Sequence, residues 1–184
     1  KVYLAVPEQY DAQMCDQQGT VEEITYQTKA YATDKKNCRE KSIGISPNMA
    51  MMKVSHTIIL YLMHGTGDDE EYWLKTNDQN KKMIDWMIYR GDINPLIIVT
   101  PTFYVENDCS DGLDPLTYSF KEELRNDLMP TVEKKYATYA EECTDAGFKD
   151  SRDHRAFAGL SRGAVTMYHS VLCGSLDYFS WFGA

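Results

Sequence analysis

One stretch, His154 to Tyr168, constrains the fold of this chain more than any other. Its short apolar segment, Ala156–Ala158, runs directly into Gly159-Leu160-Ser161-Arg162-Gly163, and an amphipathic run continues to Leu172. The apolar positions of that run recur at helical spacing: Val165, Tyr168 and Leu172. A strand, a tight turn and a helix in this order are typical of a nucleophile elbow, whose strained turn needs small flanking residues. The stretch therefore predicts an α/β fold with Ser161 as a nucleophile.

The same turn predicts part of an oxyanion-binding site. The backbone N–H of Arg162 lies at the start of the predicted helix and points toward the oxyanion that forms when Ser161 attacks a carbonyl. A second strand, His56 to Met63, is apolar and β-branched, which is typical of a buried parallel strand. It leads into Gly65-Thr66 at the edge of the sheet where ligands of α/β folds bind. This pair therefore lies where the second N–H donor of such a site is expected.

The rest of the chain alternates in the manner of a mostly parallel sheet with helices on both faces. Further strands are predicted at residues 19–28, 41–45, 96–100 and 178–182, and helices at residues 79–89 and 116–136. The first two strands are joined by a polar connection at residues 31–40 and predict an antiparallel N-terminal edge. A helix cap is expected at Asp114, a kink near Pro130 and a loop at residues 145–150. Residues 1–18 are interpreted as an N-terminal extension and residues 19–184 as the α/β domain.

Composition excludes several functions. A net charge of −9, spread along 184 residues, argues against nucleic acid as a partner, since no basic patch could neutralise phosphates. The longest apolar run, residues 57–63, is much shorter than the ~20 residues of a membrane span. The cysteines form no C-x-x-C pair, and the run of carboxylates at residues 68–71 lacks the ordered spacing of a ligand set. Neither a metal nor a cofactor is therefore expected.

A general base for Ser161 is harder to find in this sequence. In this fold an acid and then a histidine follow the nucleophile along the chain. His169 lies two turns along the same helix and cannot bend back to Ser161, and Asp177 is interpreted as a turn residue. His64 adjoins the Gly65-Thr66 loop and is expected to hold it by hydrogen bonds. The two remaining histidines, His56 and His154, start their strands and so lie at the opposite edge of the sheet.

Aromatic residues near the predicted site are candidates for contact with an aromatic substrate. Trp73 follows the Gly65-Thr66 loop, and Tyr104 follows the strand at residues 96–100. Gly65 itself would let the backbone approach a ligand closely. Most aromatic residues at such positions belong to the core, so packing is the competing interpretation for Trp73 and Tyr104.

Several motifs resemble, in the same order along the chain, those of a known enzyme family. They are Leu60-Tyr-Leu-Met-His-Gly65, Trp73, Pro95-Leu-Ile-Ile-Val-Thr-Pro101, Glu123-Leu-Arg-Asn-Asp-Leu-Met-Pro130 and His154-Arg-Ala-Phe-Ala-Gly-Leu-Ser-Arg-Gly163. Over residues 19–184 the chain resembles the esterase D-like feruloyl and acetyl-xylan esterases of microbes that degrade plant cell walls. The resemblance implies a secreted α/β-hydrolase that needs no cofactor and releases ferulate or related hydroxycinnamates from arabinoxylan. It assigns Ser161 as nucleophile and the backbone N–H groups of Arg162 and Thr66 as oxyanion donors.

Two departures from the family pattern matter. Many relatives have methionine in place of Arg162, which is expected to alter only the wall of the pocket. The acid and histidine of the family lie on loops beyond the strand that begins at Tyr178, so they are expected on a C-terminal remainder of the domain. Two alternatives stay open: another hydrolase (an acetyl-xylan esterase or a small-thioester hydrolase), and a carbohydrate-binding homologue without catalysis.

Overall fold

The chain is arranged around a twisted, mostly parallel sheet. The structure, a computed structural model, describes residues 6–11, 14–29, 31–32, 41–47, 56–105 and 112–184, with residues 11 and 41–47 described by their backbone alone. The strands are β1 (Glu22–Tyr26), β2 (Lys41–Pro47), β3 (Ile58–Met63), β4 (Leu96–Thr100), β5 (Arg155–Gly159) and β6 (Trp181–Gly183). The α-helices are α1 (Glu8–Asp11), α2 (Asp78–Tyr89), α3 (Leu113–Glu123), α4 (Met129–Lys135), α5 (Asp145–Asp150) and α6 (Arg162–Val165). Three π-helical segments, Tyr72–Thr76, Leu124–Leu128 and Thr166–Leu172, and a 3₁₀ turn, Arg152–His154, complete the described elements. Much of the predicted connection at residues 31–40, and residues 1–5 and 12–13 of the predicted extension, lie outside the described residues.

The strand order confirms the predicted sheet. The described strands pair in the order β1-β2-β4-β3-β5-β6. β1 and β2 are antiparallel to their neighbours, while β3 pairs in parallel with both β4 and β5, and β6 pairs in parallel with β5. In this register Met63 faces Gly159, so the ends of β3 and β5 meet at one edge of the sheet. That edge holds the predicted Gly65-Thr66 loop and the predicted elbow side by side.

The main core lies on one face of the sheet. Alternate residues of β3, among them Ile59 and Tyr61, are buried there, because successive side chains of a strand point to opposite faces. Phe120, Leu124 and Leu128 cover them as the expected helical stripe. The other buried members of this core include Ile24, Tyr26, Ile97, Val99, Phe103, Phe148, Phe157, Met167, Val171 and Phe179.

The long helix predicted at residues 116–136 is present but changes its winding. It starts earlier, at Leu113, after Gly112, so the cap predicted at Asp114 is wrong and Asp114 lies in the first turn of α3. Residues Leu124–Leu128 are π-helical immediately before α4, where Pro130 stands near the N-terminus. Because Pro130 has no N–H to give and its ring crowds the preceding turn, the wider turn accommodates it without ending the helix.

The opposite face of the sheet is less completely covered. Ile58, Leu60 and Leu62 of β3 are only half-buried, and Trp181 of β6 is 65% exposed. These strands line an open cavity of about 270 Å³ that also involves Leu96. Trp181 donates its Nε1–H to the carbonyl of Asp153 at 2.9 Å, which keeps the indole at this surface. The prediction of a buried strand from Tyr178 to Phe182 is wrong in part: Tyr178 and Phe179 are buried but precede β6, which begins at Trp181.

A buried ion pair anchors the start of β5, and the sequence patterns did not reveal it. Arg155 is 1% exposed and binds both carboxylate oxygens of Glu133, at 2.8 Å through Nε and 2.7 Å through Nη2. Its remaining N–H groups donate to the carbonyls of Phe148 and Tyr178 and to the Ser151 hydroxyl. All five guanidinium donors are thereby used. Four elements (α4, α5, β5 and the segment before β6) consequently meet at one charged centre.

Two smaller expectations are also corrected. Residues Asp145–Asp150 form α5 rather than a loop, because the Thr144 side chain accepts from the N–H of Gly147 and caps a short helix. After the elbow, Val165 and Tyr168 are exposed, at 37% and 52%, and do not form the buried stripe that their spacing suggested. The buried side of this helix instead carries Thr166, Met167, Ser170 and Val171. Polar Thr166 and Ser170 hide the true period, since their hydroxyls bond to backbone carbonyls within the packing.

Candidate active site

The turn between β5 and α6 holds Ser161 in a conformation that few residues adopt. Ser161 has φ 54° and ψ −115°, and it is exposed at the N-terminal end of α6. A non-glycine residue with positive φ is strained, and such strain concentrates at functional sites. A Cβ on Gly163 would lie 2.6 Å from the carbonyl oxygen of Met63 and 2.7 Å from that of His64, while a Cβ on Gly159 would overlap the backbone of Gly163. The strand–turn–helix context and the need for small flanking residues are thus as predicted.

Hydrogen bonds fix this turn to the neighbouring strand. The N–H of Leu160 donates to the carbonyl of Met63 at 3.1 Å, and the N–H of Gly163 donates back to Leu160 at 2.8 Å. Val165 donates to the carbonyl of Ser161 at 3.0 Å and starts the helix. No hydrogen bond from the backbone N–H of Arg162 is recorded among the described residues. This N–H is therefore available for an anion next to Ser161.

The loop after β3 packs directly against the elbow. A Cβ on Gly65 would lie only 3.3 Å from Cβ of Ser161, so the missing side chain at Gly65 is what lets the two turns approach. The loop closes as a turn, in which the N–H of Asp68 donates to the Gly65 carbonyl at 3.3 Å and Gly67 has φ 91°. The backbone N–H of Thr66 has no recorded partner in the described part of the chain. Within the described residues neither the Arg162 nor the Thr66 N–H has a recorded partner, and both belong to the two turns that meet at Ser161, where an oxyanion hole would need its donors.

His64 is buried below this loop and holds it. Its Nδ1 lies 2.7 Å from the carbonyl oxygen of Gly65, and its Nε2 lies 2.8 Å from Oγ1 of Thr102. Because a carbonyl can only accept, Nδ1 must donate, and Nε2 then accepts the Thr102 hydroxyl proton. Both ring nitrogens are engaged in holding the loop, as expected from the sequence, so neither is free to accept the proton of Ser161.

Of the two aromatic residues expected near a ligand, one reaches the site. The Tyr104 hydroxyl accepts from the N–H of Gly67 at 2.9 Å, and its ring stacks on His64 with centroids 5.5 Å apart. Tyr104 therefore supports the loop of Gly65 and Thr66 from the side of β4. Trp73 is half-buried in the π-helical segment and makes an edge-to-face contact with Tyr72 at 5.1 Å. No recorded hydrogen bond or ring contact links Trp73 to the elbow within the described residues.

The side chain of Arg162 forms hydrogen bonds to two other elements. Its Nε donates to the Thr66 hydroxyl at 3.1 Å, and its Nη1 donates to Oδ1 of Asp114 at 2.7 Å and to the Thr117 hydroxyl at 3.2 Å. Arg162 thus joins the loop after β3 to the first turns of α3. Sequence reasoning missed this connection because residues 66, 114 and 162 are far apart in the chain and no local pattern links them.

None of the other histidines described here lies near Ser161. His169 is exposed and meets the edge of Tyr118, with ring centroids 5.3 Å apart. His154 stacks on Tyr139 at 3.5 Å and His56 lies 5.4 Å from the same ring, at the opposite edge of the sheet. Asp177 is an exposed turn residue. The described part of the chain thus supplies a candidate nucleophile and candidate oxyanion donors, whereas its histidines make their contacts elsewhere.

The acidic residues after the Gly65-Thr66 loop make contacts within their own segment. Oδ1 of Asp69 accepts from the N–H of Glu71 at 3.0 Å, and Glu71 pairs with Lys75 one helical turn later. Partial burial, together with the charge of Asp69, raises the pKa of Glu70 above its ordinary value. The described residues contain no group of three or more side chains suited to hold a metal ion. Nor does any helix among them have the length and apolar character to cross a membrane.

Sequence comparison relates this chain to parts of larger xylan-degrading enzymes. No protein-family model matches the chain. It is 39% identical over 124 residues to endo-1,4-beta-xylanase Y of Acetivibrio thermocellus, covering 67% of this chain and 11% of that protein. It is 31% identical over 109 residues to an endo-1,4-beta-xylanase/feruloyl esterase of Xylanibacter ruminicola, covering 58% of this chain and 13% of that protein.

Structural comparison agrees with these relatives over almost the whole chain. A serine-to-alanine mutant of the feruloyl esterase module from Clostridium thermocellum, solved in complex with sinapinate, matches with a TM-score of 0.78 and 33% identity. A ferulic acid esterase of the anaerobic fungus Anaeromyces mucronatus matches with a TM-score of 0.68 at 20% identity, a level that establishes the fold alone. The first match covers 96% of this chain and 56% of the bacterial module, and the second covers 100% of this chain and 66% of the fungal protein. The chain therefore spans between half and two thirds of these solved structures.

Proposed function

We propose that this chain, a feruloyl esterase-like α/β-hydrolase, is the larger part of a serine esterase that releases ferulate or related hydroxycinnamates from plant cell-wall arabinoxylan. The observation that carries the proposal is the strained conformation of Ser161 in a turn that packs directly against the loop of Gly65 and Thr66. The comparisons support it, because the matched module and the Xylanibacter relative are described as feruloyl esterases. Their names also favour this activity over an acetyl-xylan esterase, a small-thioester hydrolase or a carbohydrate-binding module.

In the proposed reaction Ser161 attacks the ester carbonyl. A histidine takes the proton from Oγ while the carbon–oxygen bond forms, and the N–H groups of Arg162 and Thr66 bind the resulting oxyanion. The sugar alcohol leaves with the proton that the histidine returns to it. Water, deprotonated by the same histidine, then hydrolyses the acyl-enzyme and restores Ser161. No cofactor takes part in any of these steps.

We place the histidine and its acid partner on a C-terminal remainder of the same domain. The engaged ring nitrogens of His64 and the distant positions of the other described histidines support this placement. The half-open face of β3 and the exposed Trp181 would be covered by that remainder. Since arabinoxylan is a polymer outside the microbial cell, the complete enzyme would be secreted.

Gly65, Trp73 and Tyr104 are proposed substrate contacts in this scheme. Gly65 would line the acyl site, since it already lies against Ser161. Tyr104 supports the loop from behind, so its contribution would come through the position of Gly67. Trp73 would reach substrate only through its exposed part.

The decisive experiment uses the complete enzyme and compares Ser161→Ala with the wild type in hydrolysis of methyl ferulate. Loss of the nucleophile should reduce turnover by about 10⁴-fold or more, while feruloylated xylan still binds. Ser119→Ala is the matched control, because its hydroxyl bonds to the Pro115 carbonyl of its own helix and should leave turnover unchanged. Turnover retained by Ser161→Ala would refute the proposal, and xylan binding without hydrolysis in the wild type would favour a binding module.

The remainder is tested on the same sample by intact mass. Hydrolytic activity should accompany a further piece of roughly 80–100 residues, a size typical of the missing part of such a domain. Addition of that piece to the 21.1 kDa chain should restore hydrolysis. Full activity from the 21.1 kDa chain alone would place the base within it and overturn this assignment.

A further inference from the structure

The two residues proposed to bind the oxyanion are joined through a side chain. Arg162 offers its backbone N–H to the site, and its Nε donates to the hydroxyl of Thr66 at 3.1 Å. Thr66 is the residue whose backbone N–H is the second proposed donor. The distance between the two N–H groups is therefore tied to the placement of the Arg162 guanidinium.

The guanidinium is itself anchored on α3. Nη1 donates to Asp114 at 2.7 Å in a charge-assisted hydrogen bond, and to Oγ1 of Thr117 at 3.2 Å. The Thr117 hydroxyl gives its own proton to the carbonyl of Leu113 at 2.7 Å, so it faces Arg162 as an acceptor. The Arg162 side chain is 25% exposed, which leaves it partly shielded from water between the loop and the helix. A planar, multiply bonded guanidinium in such a place has little freedom to move.

The other contacts of the loop hold its backbone, whereas the bond from Arg162 holds the Thr66 side chain. His64 binds the carbonyl of Gly65, and Tyr104 binds the N–H of Gly67. Thr66 is exposed at the tip of the turn, and the bond from Arg162 is its one recorded hydrogen bond within the described part of the chain. The Gly65 carbonyl belongs to the same planar peptide as the Thr66 N–H, so His64 and the N–H of Asp68 restrain that peptide at its oxygen. The bond from Arg162 adds a restraint from the other side, through the Thr66 side chain.

We propose that the Arg162 side chain is a positioning residue, which holds Thr66 so that its backbone N–H points at the developing oxyanion. This inference rests on the proposed esterase activity and deepens it. Asp114 and Thr117 fix the guanidinium, the guanidinium fixes Thr66, and Thr66 completes the oxyanion hole. The side chain thereby acts on the rate of the chemical step and not on the binding of the aromatic acid.

Two substitutions break the same bond from opposite ends. In the complete enzyme, Arg162→Met removes the donor and Thr66→Val removes the acceptor with hardly a change in shape, while both keep the backbone N–H groups. Each should lower kcat for methyl ferulate by about 10- to 100-fold, less than the 10²–10³-fold cost of losing an oxyanion donor outright. KM should change by less than about 3-fold, because the interaction acts in the transition state. Thr66→Ser keeps the acceptor and should recover most of the kcat lost in Thr66→Val.

A double mutant distinguishes positioning from two unrelated defects. Arg162→Met combined with Thr66→Val should be about as slow as either single variant, because the shared bond can be lost only once. Arg90→Met is the matched control: Arg90 also pairs with an aspartate, Asp92, at 3.4 Å, but in the turn that follows α2. It should leave kcat unchanged. Multiplied losses in the double mutant, or a kcat within 2-fold of wild type in both single variants, would overturn the proposal.

A second readout does not depend on turnover. Amide hydrogen exchange at Gly67 and Asp68, whose N–H groups are bonded within the loop, should accelerate in Arg162→Met and Thr66→Val and stay at the wild-type rate in Arg90→Met. Unchanged exchange in both loop variants would refute the positioning role even in an inactive preparation. Absence of hydrolysis in the wild type with accelerated exchange in the variants would instead refute the proposed function and retain the structural coupling.

Discussion

At Gly163 the elbow has no room for a methyl group. The added Cβ would lie 2.6 Å from the carbonyl oxygen of Met63, at the end of β3, and 2.7 Å from that of His64, and both belong to backbone that cannot rotate away. Ser161 keeps its positive φ because the turn is packed this closely on both sides. The strain at the serine and the absence of side chains at its neighbours are two aspects of one steric arrangement.

Gly163→Ala is therefore expected to destabilise the protein by about 2–4 kcal/mol, since overpacking must push β3 and the elbow apart. Urea unfolding measures the free energy, and methyl ferulate turnover should fall with it. Gly91→Ala is the comparison, because an added Cβ at Gly91 meets no atom within 4 Å and only the positive φ of 75° opposes alanine there. It should cost only the backbone strain of about 1–2 kcal/mol. A loss below about 1 kcal/mol in Gly163→Ala would show that crowding at Gly163 is unimportant.

At the scale of single residues, part of the candidate site could be predicted from the sequence. The positions of Ser161 and Gly65 and the role of His64 could be predicted from a strand, a glycine turn and a helix that follow one another in the sequence. Each of these residues lies within a few positions of the element that holds it. The bond from Arg162 to Thr66 could not, since it depends on α3 lying beside α6. The motif accounts for the backbone of Arg162 alone, so the sequence contains no indication of what the Arg162 side chain contacts.

Among the elements, α4 and β5 are joined by a buried ion pair between Glu133 and Arg155. Glu133 accepts from Arg155 twice, from the Tyr61 hydroxyl at 2.9 Å and from the Thr138 hydroxyl at 3.2 Å. Every strong donor of the arginine has an acceptor, which is the condition under which a buried ion pair is tolerated. Removal of one partner would leave the other charged and buried without a counterion.

Glu133→Gln should accordingly lower the free energy of unfolding by about 3–5 kcal/mol, because the Arg155 charge loses its counterion in the core. Thermal or urea unfolding with far-ultraviolet circular dichroism provides the measurement. Asp78→Asn, which breaks the largely exposed pair with Lys82, is the control and should cost less than about 1 kcal/mol. A small effect at Glu133 would mean that water reaches the pair.

The elements themselves were predicted unevenly, for physical reasons. Strands β3 and β4 are almost continuously apolar and β5 is apolar after Arg155, so all three were predicted at nearly their observed bounds. The helix after the elbow was found, but its buried side was misassigned, because Thr166 and Ser170 pack inward with their hydroxyls bonded while Val165 and Tyr168 face outward. The spacing of apolar residues does not reveal a polar side chain that can be buried because its hydroxyl is hydrogen-bonded.

On the scale of the whole molecule, two buried phenols govern behaviour at high pH. Tyr26 donates to Glu123 at 2.5 Å, and Tyr61 donates to Glu133. Burial first, and then the nearby carboxylate, raises the pKa of Tyr26 and of Tyr61 well above 10. The folded protein keeps both protons at a pH where the unfolded chain has lost them. Stability is therefore unaffected below about pH 10 and declines as the pH rises toward the folded-state values.

The free energy of unfolding should fall above pH 10 by about 1.4 kcal/mol per pH unit for each of these tyrosines. In Tyr26→Phe the decline should be shallower by that amount, although the variant starts from a lower stability at pH 7 because Glu123 loses a donor. Absorbance at 295 nm follows phenolate formation and should show Tyr26 and Tyr61 ionising only on unfolding. Native titration of all 13 tyrosines near pH 10 would contradict the assignment.

The charged centre at Arg155 also bears on how this chain can be divided. A cut in the exposed turn at residues 141–142 would leave Glu133 on one fragment and Arg155 on the other. Either piece folding alone would carry an uncompensated charge in its interior, so neither should hold native structure until its counterpart arrives. A split at this turn thus yields halves whose association is the condition for folding, a property suited to a two-component reporter with little background signal.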